Sequence, residues 1–319
     1  MLTNIPSRAD IISAHHRIKP YINRTPVLTS QTFNSLFSSS LFFKCENFQK
    51  AGAFKSRGAI NLVFSMDNND AKNGVCTHSS GNHAQALARA AKIRNIPSFI
   101  VMPSNAPSVK VNAVREYGGQ IHFCEPNLAA RESTLLKIQK ETGAFEVHPY
   151  NNFSIIAAQA SASIELFEDI NEHLDLLLCP VGGGGLLSGT ALGTHYFSKK
   201  TQVIACEPLG ADDAFQSFKK GKIIPSLKPN TIADGLLTSL GSKNFPIIQK
   251  YVDDIVTVKE DNIIKAMRLI YERMKIIIEP SSAVPLAAIL ENKIDVKNKK
   301  VGIILSGGNV DLNDLPFSI

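Results

Sequence analysis

Short apolar runs alternate along this chain with longer stretches in which apolar residues return at every third or fourth position. The runs Leu41–Cys45, Gly74–Thr77, Ser98–Met102, Gln120–Phe123, Leu176–Val181, Gln202–Glu207, Asp254–Val258 and Lys300–Leu305 read as strands. Between them, stretches such as His83–Arg94 and Ser108–Tyr117 carry helical spacing. Strand and helix in alternation predict parallel sheets flanked by helices, an α/β fold.

Composition narrows the class. A chain of 319 residues, 44% of them hydrophobic, can bury a large core and is expected to form two domains. Its net charge of +6 raises the question of a nucleic-acid partner. The basic residues are dispersed, however, with Lys199-Lys200, Lys219-Lys220 and Lys299-Lys300 mere pairs, and no recognition motif accompanies them, so no nucleic acid is expected. Five cysteines at scattered positions predict reduced thiols and a cytoplasmic setting rather than disulfides or a zinc site. Met1 to Arg17 has no apolar core of signal-peptide length and no segment approaches about 18 apolar residues, so neither export nor a membrane is expected.

Four segments carry candidate chemistry. Gly182, Gly183, Gly184 and Gly185 follow an apolar strand and precede Leu186-Leu187-Ser188-Gly189, a helix start rich in small residues. Without Cβ atoms such a loop lets backbone N–H groups converge on a phosphate beside the positive end of a helix dipole; the bland alternative is a flexible surface turn. No Gly-Lys-Ser/Thr closes the loop, and Ser188 stands where a dinucleotide fold needs its third glycine, so a small phosphorylated cofactor fits best. Lys55 opens a helix after a Gly-containing loop, where a cation is disfavoured. It reads either as a solvated first-turn lysine or as a desolvated amine of lowered pKa, suited to imine formation, with Phe54 beside it to cover one face of an aromatic ring. Ser79-Ser80-Gly81-Asn82-His83 opens an Ala-rich helix and offers a carboxylate site or an ordinary N-cap. Ser306-Gly307-Gly308-Asn309 ends a buried strand, where ligands of open α/β sheets bind.

With these motifs in this order, the chain from about Ile11 to Leu312 resembles the fold-type-II pyridoxal phosphate (PLP) enzymes, tryptophan synthase β-like in fold. Within them it is most similar to the serine racemase and serine/threonine dehydratase family. Phe54-Lys55-Ser56-Arg57-Gly58-Ala59 resembles that family's Schiff-base segment, and Thr231-Ile232-Ala233-Asp234-Gly235 and Glu279-Pro280-Ser281-Ser282 match further family segments. The resemblance implies that Lys55 holds the cofactor covalently and then serves as base for the substrate α-proton. It implies that Phe54 packs on the cofactor ring, Asn82 bonds its 3-oxygen and Ser306 meets its nitrogen. Gly182 to Gly185 with Leu186 would hold the phosphate, with Gly235 and Glu279 also lining the cofactor. A serine at the ring nitrogen leaves it largely unprotonated, which favours expulsion of a β-hydroxyl. Ser79, Ser80, Gly81, Asn82, His83 and Arg131 are implied at the substrate, although Arg131-Glu132 also reads as a solvated pair.

Ser80 separates the subgroups, because threonine dehydratases of this family usually carry alanine there. Racemisation needs an acid or base on each face of the α-carbon, and Ser80 opposite Lys55 would supply the second; the competing reading is a carboxylate binder or small filler. The resemblance also implies a divalent cation, Mg²⁺ or else Ca²⁺ or Mn²⁺, on Glu207, Asp213 and the carbonyl of Ala211, though any acidic loop can look alike. ATP as an effector at a dimer interface is a further implication, through Lys50, Gln85, Lys275 and Asn309, with Gln31 and Ala51 departing from that pattern. Other departures are Ala158-Gln159-Ala160-Ser161 for Gly-Gln-Gly-Thr and the loop Pro149 to Ser154.

A large cofactor domain is expected over 1–70 and 149–319, with a small mobile domain over 71–148, and the expected assembly is a homodimer. A chain ending at Ile319 is expected to lack the regulatory domain of biosynthetic threonine dehydratases. The expected function is interconversion of L- and D-serine with dehydration of L-serine or L-threonine. The alternatives are a dedicated L-serine, L-threonine or threo-3-hydroxyaspartate ammonia-lyase and, further off, a catalytically silent PLP-binding protein.

Overall fold

The computed structural model describes residues 1–79, 81–106 and 108–317. Along the chain its strands are β1 (Val27–Thr29), β2 (Ser40–Cys45), β3 (Val75–His78), β4 (Ser98–Pro103), β5 (Gln120–Cys124), β6 (Phe145–Glu146), β7 (Leu176–Pro180), β8 (Gln202–Pro208), β9 (Asp254–Val258) and β10 (Lys300–Leu305). They form a six-stranded sheet ordered β1-β2-β10-β7-β8-β9 and a four-stranded sheet ordered β5-β4-β3-β6. All pairings are parallel except β1 against β2. The four-stranded sheet is drawn wholly from 75–146, and the six-stranded sheet from the chain before and after it.

Every predicted strand is present, and only β1 and β6 were not foreseen. Both lie at sheet edges and are too short, at 3 and 2 residues, to show a period. The apolar runs occupy the sheet interiors: all of β7 is buried, and Ile303 of β10 pairs with Phe43 on one side and Leu178 on the other. Their carboxyl ends therefore emerge together, which is where β7 delivers the glycine run and β10 delivers Ser306.

Helix Lys55–Ser65 packs against Asn82–Arg94 and Phe153–Gln159. It thus lies between the helix that follows β3 and the segment returning from the smaller sheet. A fully buried ion cluster anchors it from below. Arg57 pairs with Glu46 and Glu165, each at 2.7 Å, and Lys44 pairs with Glu165 at 2.8 Å. Thr25 donates to Glu46 at 2.6 Å and accepts, through its carbonyl, from Lys44 at 2.7 Å. Burial alone would raise the Glu165 carboxyl, but Arg57 and Lys44 hold it down at about 2. No helix among the described residues is long and apolar enough to cross a membrane.

Candidate active site

Gly184, with φ +90°, is the N-cap of helix Gly185–Phe197 and offers no side chain to its N–H groups. Among the described residues no acceptor takes the N–H groups of Gly182 through Leu187; the first bond of the helix runs from Ser188 N–H to Gly184 O at 2.8 Å. Free N–H groups at the positive end of a helix dipole form a site for a phosphate. Packing also demands glycine here. A Cβ at Gly183 would stand 2.5 Å from the Tyr150 ring, one at Gly185 2.8 Å from Tyr150 Cβ, and one at Gly182 2.9 Å from Leu236 Cα. Asn244 ties the same pieces together, donating to Gly183 O at 3.0 Å and Tyr150 O at 3.2 Å.

Lys55 begins its helix without a side-chain cap. Its Nζ donates to Pro149 O at 2.9 Å and stands 5.1 Å from the Phe54 ring centroid and 5.9 Å from that of Tyr150. Burial lowers the amine to about 8, with the Glu279 charge opposing the shift. Such an amine is neutral for a usable fraction of the time near pH 8 and can act as nucleophile or base. Phe54 N–H donates to Ser306 O at 3.0 Å, and Ala53 bridges Gly307, so the end of β10 lies beside the lysine turn. Ser306 is buried with its Oγ 3.1 Å from that of Ser282.

Asn82 donates to both Glu279 oxygens, at 3.0 and 2.9 Å, and accepts from Asn309 at 2.9 Å. Burial, with the Asp234 charge adding, pushes the Glu279 carboxyl up to about 7. Gly235 N–H donates to Ser281 Oγ at 3.1 Å, next to this group. The structure thus brings the implied cofactor residues Phe54, Lys55, Asn82, Gly235, Glu279 and Ser306 into linked contacts. A phosphorylated cofactor with a carbonyl group fits the donors, the amine and the polar strand terminus.

On the substrate side, Ser79 Oγ accepts from Gly81 N–H at 3.4 Å, and a Cβ on Gly81 would meet nothing within 4 Å. Asn82 and His83 start helix Asn82–Arg94 beside this open space, with no side-chain cap from Gly81. The His83 ring itself is buried against Val147 O at 2.9 Å and is held neutral, pushed down to about 3 by burial and the Lys55 charge. It braces the chain, and its backbone N–H remains at the helix start. Arg131 stands near His78 and Cys124, with its Nε buried and unpartnered. Ser80 lies outside the described residues.

Glu207, at the end of β8, accepts the N–H groups of Ala214 at 2.9 Å and Phe215 at 2.8 Å. Burial pushes it up to about 9, and Asp213, whose Oδ1 is buried without a partner, up to about 6. The orphaned Asp213 oxygen, near the buried Glu207 carboxyl, fits a hard divalent cation, which takes oxygen ligands. Ala211 lies in the short turn Leu209–Ala211 between them.

Tyr150 falls in the loop Pro149 to Ser154, which the family resemblance implies near the substrate side of the cofactor, whereas no motif marked His148 or Asn244 as parts of this site. A run of glycines is also the imprint of a large ring packed on backbone, and here that ring is Tyr150.

Comparison with known proteins bears on this geometry. The family model described as pyridoxal-phosphate dependent enzyme matches residues 18–307. A serine racemase of Dictyostelium discoideum is 51% identical, covering 96% of this chain and 95% of its own. A β-hydroxyaspartate dehydratase of Paracoccus denitrificans is 50% identical, covering 98% and 99%. The structure of maize serine racemase superposes with a TM-score of 0.93 at 45% identity, covering 96% of this chain and 94% of the maize chain. Likeness over almost the whole length, on a site already furnished with a buried amine and an anion cradle, means that this chain belongs to the fold-type-II pyridoxal-phosphate dependent enzymes.

Proposed function

We propose that this protein interconverts L- and D-serine and eliminates water from L-serine and L-threonine, releasing pyruvate or 2-oxobutanoate with ammonia. The observation that carries the reading is the Lys55 amine, lowered to about 8 and held between Phe54, Tyr150 and Pro149 O. Its similarity to serine racemases supports the substrate. The bound cofactor supplies an electron sink that makes the α-proton of an amino acid removable. The N–H groups of Gly182 to Leu187 hold its phosphate, and Ser306 offers a hydroxyl rather than a carboxylate at the strand end. Lys55 takes the α-proton on its face. The helix start at Ser79 to His83 takes the substrate carboxylate, with Arg131 nearby, and the Ser80 hydroxyl delivers the proton on the opposite face. Expulsion of the β-hydroxyl needs no second face, so both activities run on one site.

A divalent cation on Glu207, Asp213 and Ala211 O belongs to the same proposal, supported by the orphaned Asp213 oxygen. ATP as an effector has the support that Asn309 joins Ala51 O at 2.8 Å to Asn82 Oδ1, which would connect an effector on that side to the cofactor. A homodimer is supported by Phe48 and Ile277, exposed at 44% and 47% and linked by Asn47 donating to Ile277 O. The setting proposed is cytoplasmic, in keeping with the free thiols.

The similarity to a β-hydroxyaspartate dehydratase favours one second reading, a dedicated ammonia-lyase. The deciding experiment incubates the PLP- and Mg²⁺-loaded protein with L-serine and follows D-serine by chiral chromatography alongside pyruvate. D-serine that disappears in Ser80→Ala while pyruvate persists supports the racemase. Pyruvate alone, with faster turnover of threo-3-hydroxyaspartate, makes the protein a lyase.

A further inference from the structure

One peptide unit of the return segment is held at both of its ends. The Pro149 carbonyl accepts from Lys55 Nζ at 2.9 Å, and the N–H of the same unit, on Tyr150, donates to His148 Nδ1 at 3.3 Å. The next N–H, on Asn151, donates to the same nitrogen at 3.0 Å. Backbone N–H groups only donate, so Nδ1 must be a bare acceptor and a neutral ring carries its proton on Nε2. The arrangement reproduces an Asx turn with an imidazole nitrogen in place of the side-chain oxygen. Tyr150 stacks edge-on against the same imidazole, with centroids 4.6 Å apart, and Asn151 Oδ1 fixes the far side by accepting Lys243 N–H at 2.8 Å.

We infer that His148 is a positioning residue for Lys55: its neutral imidazole clamps the Tyr150 and Asn151 N–H groups and so aims the Pro149 carbonyl at the amine, as a fixed acceptor for the proton that the amine gains. The inference deepens the proposed function and rests on Lys55 being the base. Polarisation supports it, since a peptide whose N–H is engaged is a better acceptor at its oxygen. A protonated His148 would set an N–H against two N–H donors and open the turn. The groups facing it are His78, Lys55 and Lys243, and burial with these charges holds it down at about 4. Those facing Lys55 are Glu279, His83 and His148 itself.

The test reads the amine directly. In the full-length chain freed of cofactor, the Lys55 midpoint is obtained from the pH dependence of its labelling by a small acylating reagent, read by peptide mass spectrometry. His148→Leu removes the acceptor of the clamp, whereas His148→Asn keeps an oxygen able to close the same turn. Loss of the aimed carbonyl withdraws a hydrogen bond from the charged amine, so the leucine variant should titrate about one unit lower and label roughly tenfold faster below the midpoint. The asparagine variant should titrate as the parent does. An unchanged midpoint in the leucine variant, or an equal fall in both, overturns the inference. A measurement on the unaltered loaded protein guards against a variant that does not fold: ¹⁵N shifts of His148 should report a neutral ring protonated on Nε2 from pH 6 to 9, and an Nδ1–H ring would refute the clamp. Failure of the functional reading is separable, because it would appear as missing turnover with the clamp and the Lys55 titration intact.

Discussion

Arg57 has no route to water, and its charge is tolerated only because Glu46 and Glu165 answer it from two sides. Arg57→Met would leave Glu46 without a cation and Glu165 with Lys44 alone, and loss of one partner from such a buried set costs about 3–5 kcal/mol. Urea denaturation should therefore show a sharply lower midpoint, even though residue 57 touches no substrate. Gly183→Ala is the second prediction at this scale. The added methyl meets the Tyr150 ring at 2.5 Å, and overpacking of this kind costs about 1–3 kcal/mol. Thermal unfolding should move down and PLP binding should weaken, because the loop that must shift is the loop that cradles phosphate. A variant with unchanged melting temperature and cofactor affinity would count against that geometry. What the sequence made legible among single residues was the amine, the glycine run and the strand-end serine, each marked by a local rule. The Asn82–Glu279 pair was not legible as a contact, since its members are 197 positions apart and nothing local announces it.

At the scale of elements, the joint between β8 and helix Asp213–Lys220 carries its own pH dependence. Glu207 rises from an ordinary 4.5 to about 9 through burial, and Asp213 from 3.8 to about 6. An acid whose folded pKa exceeds its unfolded one binds more protons when folded, so its contribution is intact at low pH and is lost as pH rises through that window. Cation-free protein should accordingly lose thermal stability from about pH 5 toward pH 9. Saturating Mg²⁺ should flatten the decline by binding the ionised pair. Glu207→Gln with Asp213→Asn should flatten it too, while abolishing the response to Mg²⁺. A cation-free melting curve that is level across this range would refute the assignment. Elements were read well wherever an apolar period had length to express itself. β1 and β6 escaped because partners across the sheet, rather than their own few residues, make them strands.

The whole molecule has its two sheets joined on the solvent side by an ion pair, Lys110 of helix Ser108–Glu116 with Asp234 of the turn Asp234–Leu236. Half exposed at Asp234, it is a weak fastening of about 0–1 kcal/mol, suited to a contact that opens and closes. If the 71–148 domain moves as the family resemblance implies, its closure over the substrate would load this pair. Lys110→Asp should raise proteolytic nicking of the connecting segments in the presence of a substrate analogue, and adding Asp234→Lys should restore protection. Equal nicking in parent, single and double variants would speak against such a latch. Fold class was legible from alternation and the expectation of two domains from length, while the division at about 71–148 was implied only by the family resemblance; the fastening was not legible, because it joins side chains that sequence spacing does not relate.

The smaller sheet is also one uninterrupted stretch of chain, 75–146, entered just after the Lys55 helix and left just before Pro149. The helix start proposed for the substrate carboxylate lies within it, whereas the amine and the phosphate cradle lie outside. In gene terms, the proposed carboxylate-binding helix start, with Ser80 and Asn82, occupies one reading segment, and the amine and phosphate cradle occupy the rest. Recombination at two points would exchange the substrate-facing half as a single cassette, so a chimera carrying the 75–146 stretch of a relative should inherit that relative's substrate preference while keeping this chain's Lys55 and phosphate cradle.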